Sequence, residues 1–311
     1  MNDKYYVPFA ERKIDFQYRN GLKEIVDNGD IVYTQMEEYE KHIFGIMYKF
    51  DLRNGFPVIT ERDIATPNIK NGVNRSIFSQ CLGELCGFLN GARTQAELES
   101  FGCFWWKKWV TKEKCNKREL EEGDLGPGSY GPAWTNFPMS NGEFFNQIDV
   151  VLQQIRENPK LKTHRVSNWI PYYTPRISGM IQKVVVVPCH GDFDIHINTD
   201  TGFLDLVHIQ RSADYPVGLP ANIIQYAALT FMLAQVTGYM PGKLIYFIDD
   251  AHYYTPTQDE AVKGLLDVKP ERFPTVIINP DIKHIQDFRP NDFEVKDYFP
   301  QSGRFVIKTP I

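Results

Sequence analysis

The sequence predicts one α+β domain over residues 1–311, built round a large mixed or antiparallel sheet with flanking helices. Three observations lead there. A chain of 311 residues, 42% of them hydrophobic, can bury a sizeable core. Segments with the period of strands and segments with the period of helices both occur along it. No internal repeat, low-complexity tract or linker divides it.

Taken in order, residues 1–43 read as polar and irregular, with a turn at Asn28-Gly29-Asp30, and the first strand pattern is Ile43 to Asp51. Asn54-Gly55-Phe56-Pro57 turns the chain into a short strand at Val58-Ile59-Thr60. Between Ser76 and Asn90 the apolar residues Ile77, Phe78, Cys81, Leu82, Leu85, Phe88 and Leu89 recur at helical spacing. Glu84 therefore lies on or beside an apolar stripe, either snorkelling at its edge or buried as an acid of raised pKa. Phe101 to Trp109 is dense in aromatics, which suits a core or a stacking surface equally. The loop Gly123 to Gly131 allows close backbone approach but lacks the spacing of a nucleotide-binding loop.

A helix is expected from about Phe144 to Arg156, ending before Asn158-Pro159. The basic residues Lys160, Lys162, His164 and Arg165 then lead into a strand near Val166 to Trp169. Val184 to Val187 are four consecutive β-branched residues, the mark of a strand covered on both faces. Phe193 to Asn198 and Phe203 to Arg211 form a hairpin across Thr199-Asp200-Thr201-Gly202. Leu219-Pro220-Ala221-Asn222 opens a long apolar helix to about Val236, and Leu244 to Ile248 is another strand, closed by Asp249 to Tyr254. The last fifty residues are rich in Pro, with short strands at Thr275 to Ile278 and Phe305 to Lys308.

The chemistry centres on Cys189. Pro188 cannot donate to a ladder, so pairing should loosen where the thiol emerges from the Val184 to Val187 strand. The thiol is then either a nucleophile or a small packed hydrophobe. Neighbours on a strand face opposite ways, so His190 is not its base, and a cation elsewhere must lower its pKa. The strand ending Arg211-Ser212-Ala213-Asp214 places a guanidinium and a hydroxyl where a phosphate could bind.

The net charge of -5 argues against a general nucleic-acid or membrane-surface binder. Cys81, Cys86, Cys103, Cys115 and Cys189 are odd in number and form no CxxC pair, so no disulfide framework and no metal site is expected. The N-terminal thirteen residues lack a signal-peptide core, and no run approaches the roughly 18 apolar residues of a membrane span. A cytoplasmic protein is the expectation.

Pro188-Cys189-His190, Gln210-Arg211-Ser212-Ala213-Asp214, Gly218-Leu219-Pro220-Ala221-Asn222-Ile223 and Asp250-Ala251-His252-Tyr253-Tyr254 together resemble the ordered signature of the thymidylate synthase family. Phe50 to Pro57, Glu84, Trp106 with Trp109, and Gly123 to Pro127 with Tyr130 look like family positions too. This coverage runs from about residue 43 onward, leaving 1–42 as a divergent segment of the same domain. The resemblance implies the family's α+β fold and a homodimer with sheets packed face to face. It also implies 5,10-methylenetetrahydrofolate as co-substrate and C5 of a pyrimidine nucleotide as acceptor, with no metal.

On that resemblance Cys189 adds to C6 of the ring, with Arg211 lowering its pKa and binding phosphate beside Ser212. Glu84 handles protons on the ring oxygen and folate nitrogen through water, and Tyr130 helps remove the proton at C5. Asn222 reads the N3–H and O4 edge of uracil, where relatives taking cytosine tend to have aspartate, so dUMP is favoured. His252 and Tyr254 hold the sugar's 3′-hydroxyl, His190 lies on the nucleotide side, and Trp106, Trp109, Asp214 and Gly218 match the folate side.

Three departures stand out. The family's N-terminal phosphate-binding arginine is absent before Phe44-Gly45. The paired arginines that reach the partner subunit are replaced by Lys162 and Thr163, or, with a shift, by His164 and Arg165. Asp194 stands where the family usually has glutamine, and would disfavour the thiolate unless neutralised or turned away. These departures lean the expectation to dUMP hydroxymethylation, in which water captures the exocyclic methylene. Reductive methylation to dTMP and a catalytically silent nucleotide-binding relative are the alternatives.

Overall fold

Tyr18, Gly21, Leu22 and Ile25 recur at helical spacing, and this stripe is what the first helix buries. In the computed structural model, which describes residues 5–310, that helix is α1 (Gln17–Asn28), so the expectation of an irregular N-terminal segment is overturned. Polar neighbours hid the period. The turn at Asn28-Gly29-Asp30 holds, leading into β1 (Asp30–Tyr33) and the long β2 (Tyr39–Asp51). Residues 1–4 of the N-terminal stretch expected to carry no leader lie outside the described residues.

Next come a small hairpin, β3 (Ile69–Lys70) with β4 (Val73–Asn74), then α2 (Ile77–Leu89), α3 (Gln95–Ser100), α4 (Lys112–Asn116) and α5 (Tyr130–Thr135). Ser76 caps α2 by accepting from the Ser79 amide, so the helix begins where its apolar period does. After β5 (Phe137–Pro138) and β6 (Phe144–Phe145) follow α6 (Gln147–Glu157) and β7 (Arg165–Val166). The remainder is β8 (Asp192–Asn198), β9 (Phe203–Asp214), α7 (Gly218–Thr237), β10 (Met240–Thr255), α8 (Asp259–Asp267), β11 (Thr275–Ile278) and β12 (Phe293–Lys296).

The main sheet has the strand order β1-β2-β10-β9-β8-β7 and is mixed, since β10 and β9 run parallel while every other pair is antiparallel. Helix α7 crosses β9 and β10 and is covered in turn by α2. Every residue from Leu219 to Ala234 is buried, which explains why α7 is apolar all round. Contrary to the expectation of no such run, α7 is long and apolar enough to cross a membrane, but 89% of that window is buried inside the domain. It is the core helix. Truncating a fully buried residue on it, such as Leu229, to alanine would cost about 2–5 kcal/mol.

Four other expectations change. The helix near 144–156 starts three residues late because Phe144 and Phe145 pair with β5. Only Arg165 and Val166 form the strand expected at 166–169. Val58 to Thr60 are buried but lie in no ladder, the Thr60 amide bonding the Glu61 carboxylate instead. Phe305 to Lys308 form no strand either; β11 takes β12 as its partner.

The largest change concerns Val184 to Val187, which are not a strand. Their backbone is claimed by the glycine-rich loop: the Val185 amide bonds Leu125 O at 2.9 Å, the Gly128 amide bonds Lys183 O, and Arg118 Nε bonds Val184 O at 2.9 Å. Gly126 makes this contact possible. It has φ +96°, and a Cβ there would sit 2.4 Å from Lys183 O. The loop's close approach is thus to the chain leading to Cys189.

Candidate active site

Helix α2 carries Glu84 into the interior, where its carboxylate is buried against α7 and the aromatic segment. Oε1 accepts from Trp105 Nε1 at 2.7 Å and Trp106 Nε1 at 2.5 Å, and Oε2 accepts from Gln225 Nε2 at 2.7 Å. Burial pushes its pKa up, opposed by those donors. Glu84 is therefore the buried acid rather than a snorkelling edge residue. Trp106 serves it directly, and Trp105, a neighbour in the aromatic cluster, is a donor that sequence reasoning missed.

From Glu84 the polar contacts continue through side-chain amides. Gln225 Nε2 also donates to Cys81 O at 3.0 Å, and Gln225 Oε1 accepts from Asn222 Nδ2 at 2.9 Å. Asn222 Oδ1 accepts from Gln210 Nε2 at 3.1 Å, and that same nitrogen donates to Ser212 O at 2.9 Å. Tyr246 Oη completes the row with a short bond to Gln210 Oε1. Gln225 sits one helical turn beyond Asn222 on α7, so the i, i+3 spacing could have revealed it. Gln210, next to Arg211 in the sequence, carries no role in the sequence pattern and gains one only through these bonds.

Cys189 lies alongside the end of β9, its carbonyl accepting from the Arg211 amide at 2.8 Å and its amide donating to Tyr130 Oη at 3.0 Å. Arg211 Nη2 stands 3.6 Å from Sγ, but the guanidinium also serves Pro188 O and Val187 O. The expected depression of the thiol pKa does not result. Burial raises it, and Arg211 with Tyr130 offsets only part of that rise. The thiol therefore rests protonated. His190 is separate, as expected, though because of the bent backbone: its Nδ1 meets Tyr226 Oη at 2.8 Å and its ring packs on Tyr130. Burial lowers its pKa to about 3, so it is neutral.

The other predicted residues spread around this centre. Arg165 bonds Asp194 at 3.0 Å across β7 and β8, neutralising the carboxylate that threatened the thiolate. Lys162 is exposed on the turn between α6 and β7, and His164 is buried. Ser212 is half-buried on β9. His252 and Tyr254 are buried on β10, their rings 5.3 Å apart. Burial would lower the His252 pKa, but the Asp250 carboxylate 3.7 Å from its Nδ1 and the charges of Glu40 and Asp214 raise it overall. Glu40, His42 and Asp250 gather with one ligand atom each within 4.8 Å of one another; Glu40 and His42 precede the strand start expected at Ile43, so no sequence pattern joined them to Asp250. Asp214 accepts from Gln258 Nε2 and Thr309 Oγ1, and burial raises its pKa to about 6. Gly218 opens α7, while half-buried Trp109 lies beside Lys108 and Lys114.

The fold and site define an α+β domain that brings a half-buried thiol, a guanidinium, a buried acid and a row of oriented amides to the junction of its central sheet and core helix. Such equipment suits covalent chemistry on a flat polar ring. A family model described as thymidylate synthase matches residues 16–308, and the chain belongs to the thymidylate synthase family. The match begins at residue 16, inside the segment read as divergent. The family's chemistry is folate-dependent one-carbon transfer to C5 of a pyrimidine, with methylenetetrahydrofolate as co-substrate.

Proposed function

We propose that this protein transfers a one-carbon unit to C5 of dUMP and that water completes the reaction, making it a dUMP hydroxymethylase acting as a cytoplasmic homodimer. The observation that carries the base assignment is the orientation of Asn222, which leaves one N–H and one oxygen lone pair available to a ligand. Cys189 attacks C6: as the Sγ–C6 bond forms, the C5–C6 π pair shifts towards O4, and the thiol proton ends on O4 by way of water at Glu84. Arg211 and Ser212 bind the phosphate with Lys162 or Arg165 of the second subunit. His252 and Tyr254 hold the sugar, with His190 on the nucleotide side. Glu84, fixed by two indoles, exchanges protons with the ring oxygen and the folate, and Tyr130 sits beside Cys189 for proton removal at C5.

The residues on the folate side fit such a co-substrate: Asp214 offers a half-buried carboxyl, Gly218 leaves space at the start of α7, and half-buried Trp109 supplies a ring face, while Trp106 is buried against Glu84 and Tyr130. Exposed Phe44, Met47 and Phe247 on β2 and β10 support face-to-face dimerisation. Water capture is supported by the altered phosphate shell, in which the family's arginine before Phe44-Gly45 and its paired arginines after Asn158-Pro159 are both replaced. One observation favours reductive methylation as a second reading. Lys308 O and Thr309 pack on Gln258 and Asp214, a cover that would exclude water from the folate side. The two are separated by ultraviolet absorbance with dUMP and methylenetetrahydrofolate. Hydroxymethylation gives product without the rise of dihydrofolate; a stoichiometric rise with dTMP as product assigns the synthase reaction.

A further inference from the structure

The row of amides beside Asn222 has a direction, and two main-chain carbonyls set it. Cys81 O and Ser212 O can only accept, so Gln225 and Gln210 must each point an NH2 group at them. The second hydrogen of Gln225 Nε2 goes to Glu84 Oε2, which turns Gln225 Oε1 towards Asn222 Nδ2. The second hydrogen of Gln210 Nε2 goes to Asn222 Oδ1, and Gln210 Oε1 is held by Tyr246. Asn222 is thereby gripped from both sides in one orientation.

The remaining hydrogen on Nδ2 and the remaining lone pair on Oδ1 complement the O4 and N3–H of uracil. Cytosine presents the reverse pair, an acceptor at N3 and a donor at N4. Turning Asn222 over to meet it would set N–H against the Gln210 N–H and oxygen against Gln225 Oε1. Passing the flip on to Gln225 would aim its oxygen at Cys81 O and the Glu84 carboxylate. Each of these juxtapositions leaves buried polar groups unpaired. We propose that Gln225, together with Gln210, is a specificity-determining positioning residue that locks Asn222 in the orientation that accepts uracil and rejects cytosine.

This rests on the reading of Asn222 as the residue that meets the base, and the test keeps the two claims apart. Affinities for dUMP and dCMP are measured by calorimetry on wild type, Gln225→Met and Gln210→Met, alongside turnover with methylenetetrahydrofolate. Methionine keeps the length of glutamine and removes both amide groups. Wild type is expected to prefer dUMP, and each substitution to reduce the dUMP-to-dCMP affinity ratio by roughly tenfold or more. A residue that only supports the fold would weaken both ligands together. An unchanged ratio in either folded variant overturns the proposal, and the two variants approach Asn222 from opposite sides, so one suffices if the other does not fold. Absence of turnover in wild type with a preserved dUMP preference in binding would instead reject the enzymatic reading and leave the lock standing.

Discussion

The two ends of the candidate site are built in opposite ways. Around Glu84 the contacts have fixed direction: buried Trp106 and half-buried Trp105 on one oxygen, a buried glutamine on the other, and carbonyls that fix each amide. Around Cys189 the backbone is irregular, the thiol is half-buried, and its cation is an exposed arginine shared with two carbonyls. A neutral ring is discriminated by small differences in donor and acceptor placement, so the part that meets it gains from rigidity. A phosphate dianion arrives with its own charge and can organise cations that are loose beforehand. The acid end is fixed by side-chain and main-chain bonds within the folded chain, whereas the thiol end is held by fewer and longer ones.

The strongest way to break this comparison is Cys189→Ser. A hydroxyl is a far weaker nucleophile, so turnover should fall by about 10⁴-fold or more with circular dichroism unchanged. Near-normal turnover would remove the covalent step. Glu84→Gln comes next, retaining the size and an acceptor oxygen while deleting the exchangeable proton; kcat should drop by roughly 10²–10⁴-fold. If kcat holds, the buried acid is only structural. Asn222→Asp tests how the rigid end reads the base, and the dUMP-to-dCMP ratio of kcat/KM should shift towards cytosine by about 10²-fold. An unmoved ratio would mean that the base is read elsewhere.

The loose end is sharpened by Lys162→Ala and Arg165→Ala. Loss of one charge-assisted bond weakens dUMP by about ten- to a hundredfold, read by calorimetry. Because Arg165 is already bonded to Asp194, Lys162 is expected to carry the larger effect. If neither matters, no cation from the second subunit reaches the phosphate. The smallest effect lies outside both ends, at Glu61, whose buried carboxyl is raised to about 7. Its folded pKa exceeds the unfolded value, so the protonated form favours the fold at low pH and this contribution is lost as pH rises through about 7. Glu61→Gln should therefore flatten the loss of thermal stability between about pH 5 and 8, worth on the order of 2 kcal/mol. An unchanged pH profile would remove Glu61 as its cause.

Much of this was legible in the sequence. An acid among the apolar residues of α2 marked Glu84, and the order of motifs from Cys189 to Tyr254 marked the family. What stayed hidden was hidden for physical reasons. Four valines in a row score as a strand, yet the Val185 amide went to Leu125 in the glycine loop and the Val184 and Val187 carbonyls to the side chains of Arg118 and Arg211, all distant in sequence. The polar surface of α1 masked four residues of core stripe. Gln225 and Trp105 carry no chemistry alone and gain roles only when packing brings them to Glu84. The altered thiol pKa likewise follows from burial that no local pattern announces.

The central claim is that Cys189 opens the uracil ring for substitution at C5, whichever branch follows. It is tested most directly with dUMP deuterated at C5, incubated with methylenetetrahydrofolate while label in solvent is followed. Label is expected to appear in step with consumption of dUMP, with none released by Cys189→Ser. Retention of the label by dUMP in the wild-type reaction, or equal release by the serine variant, would contradict it.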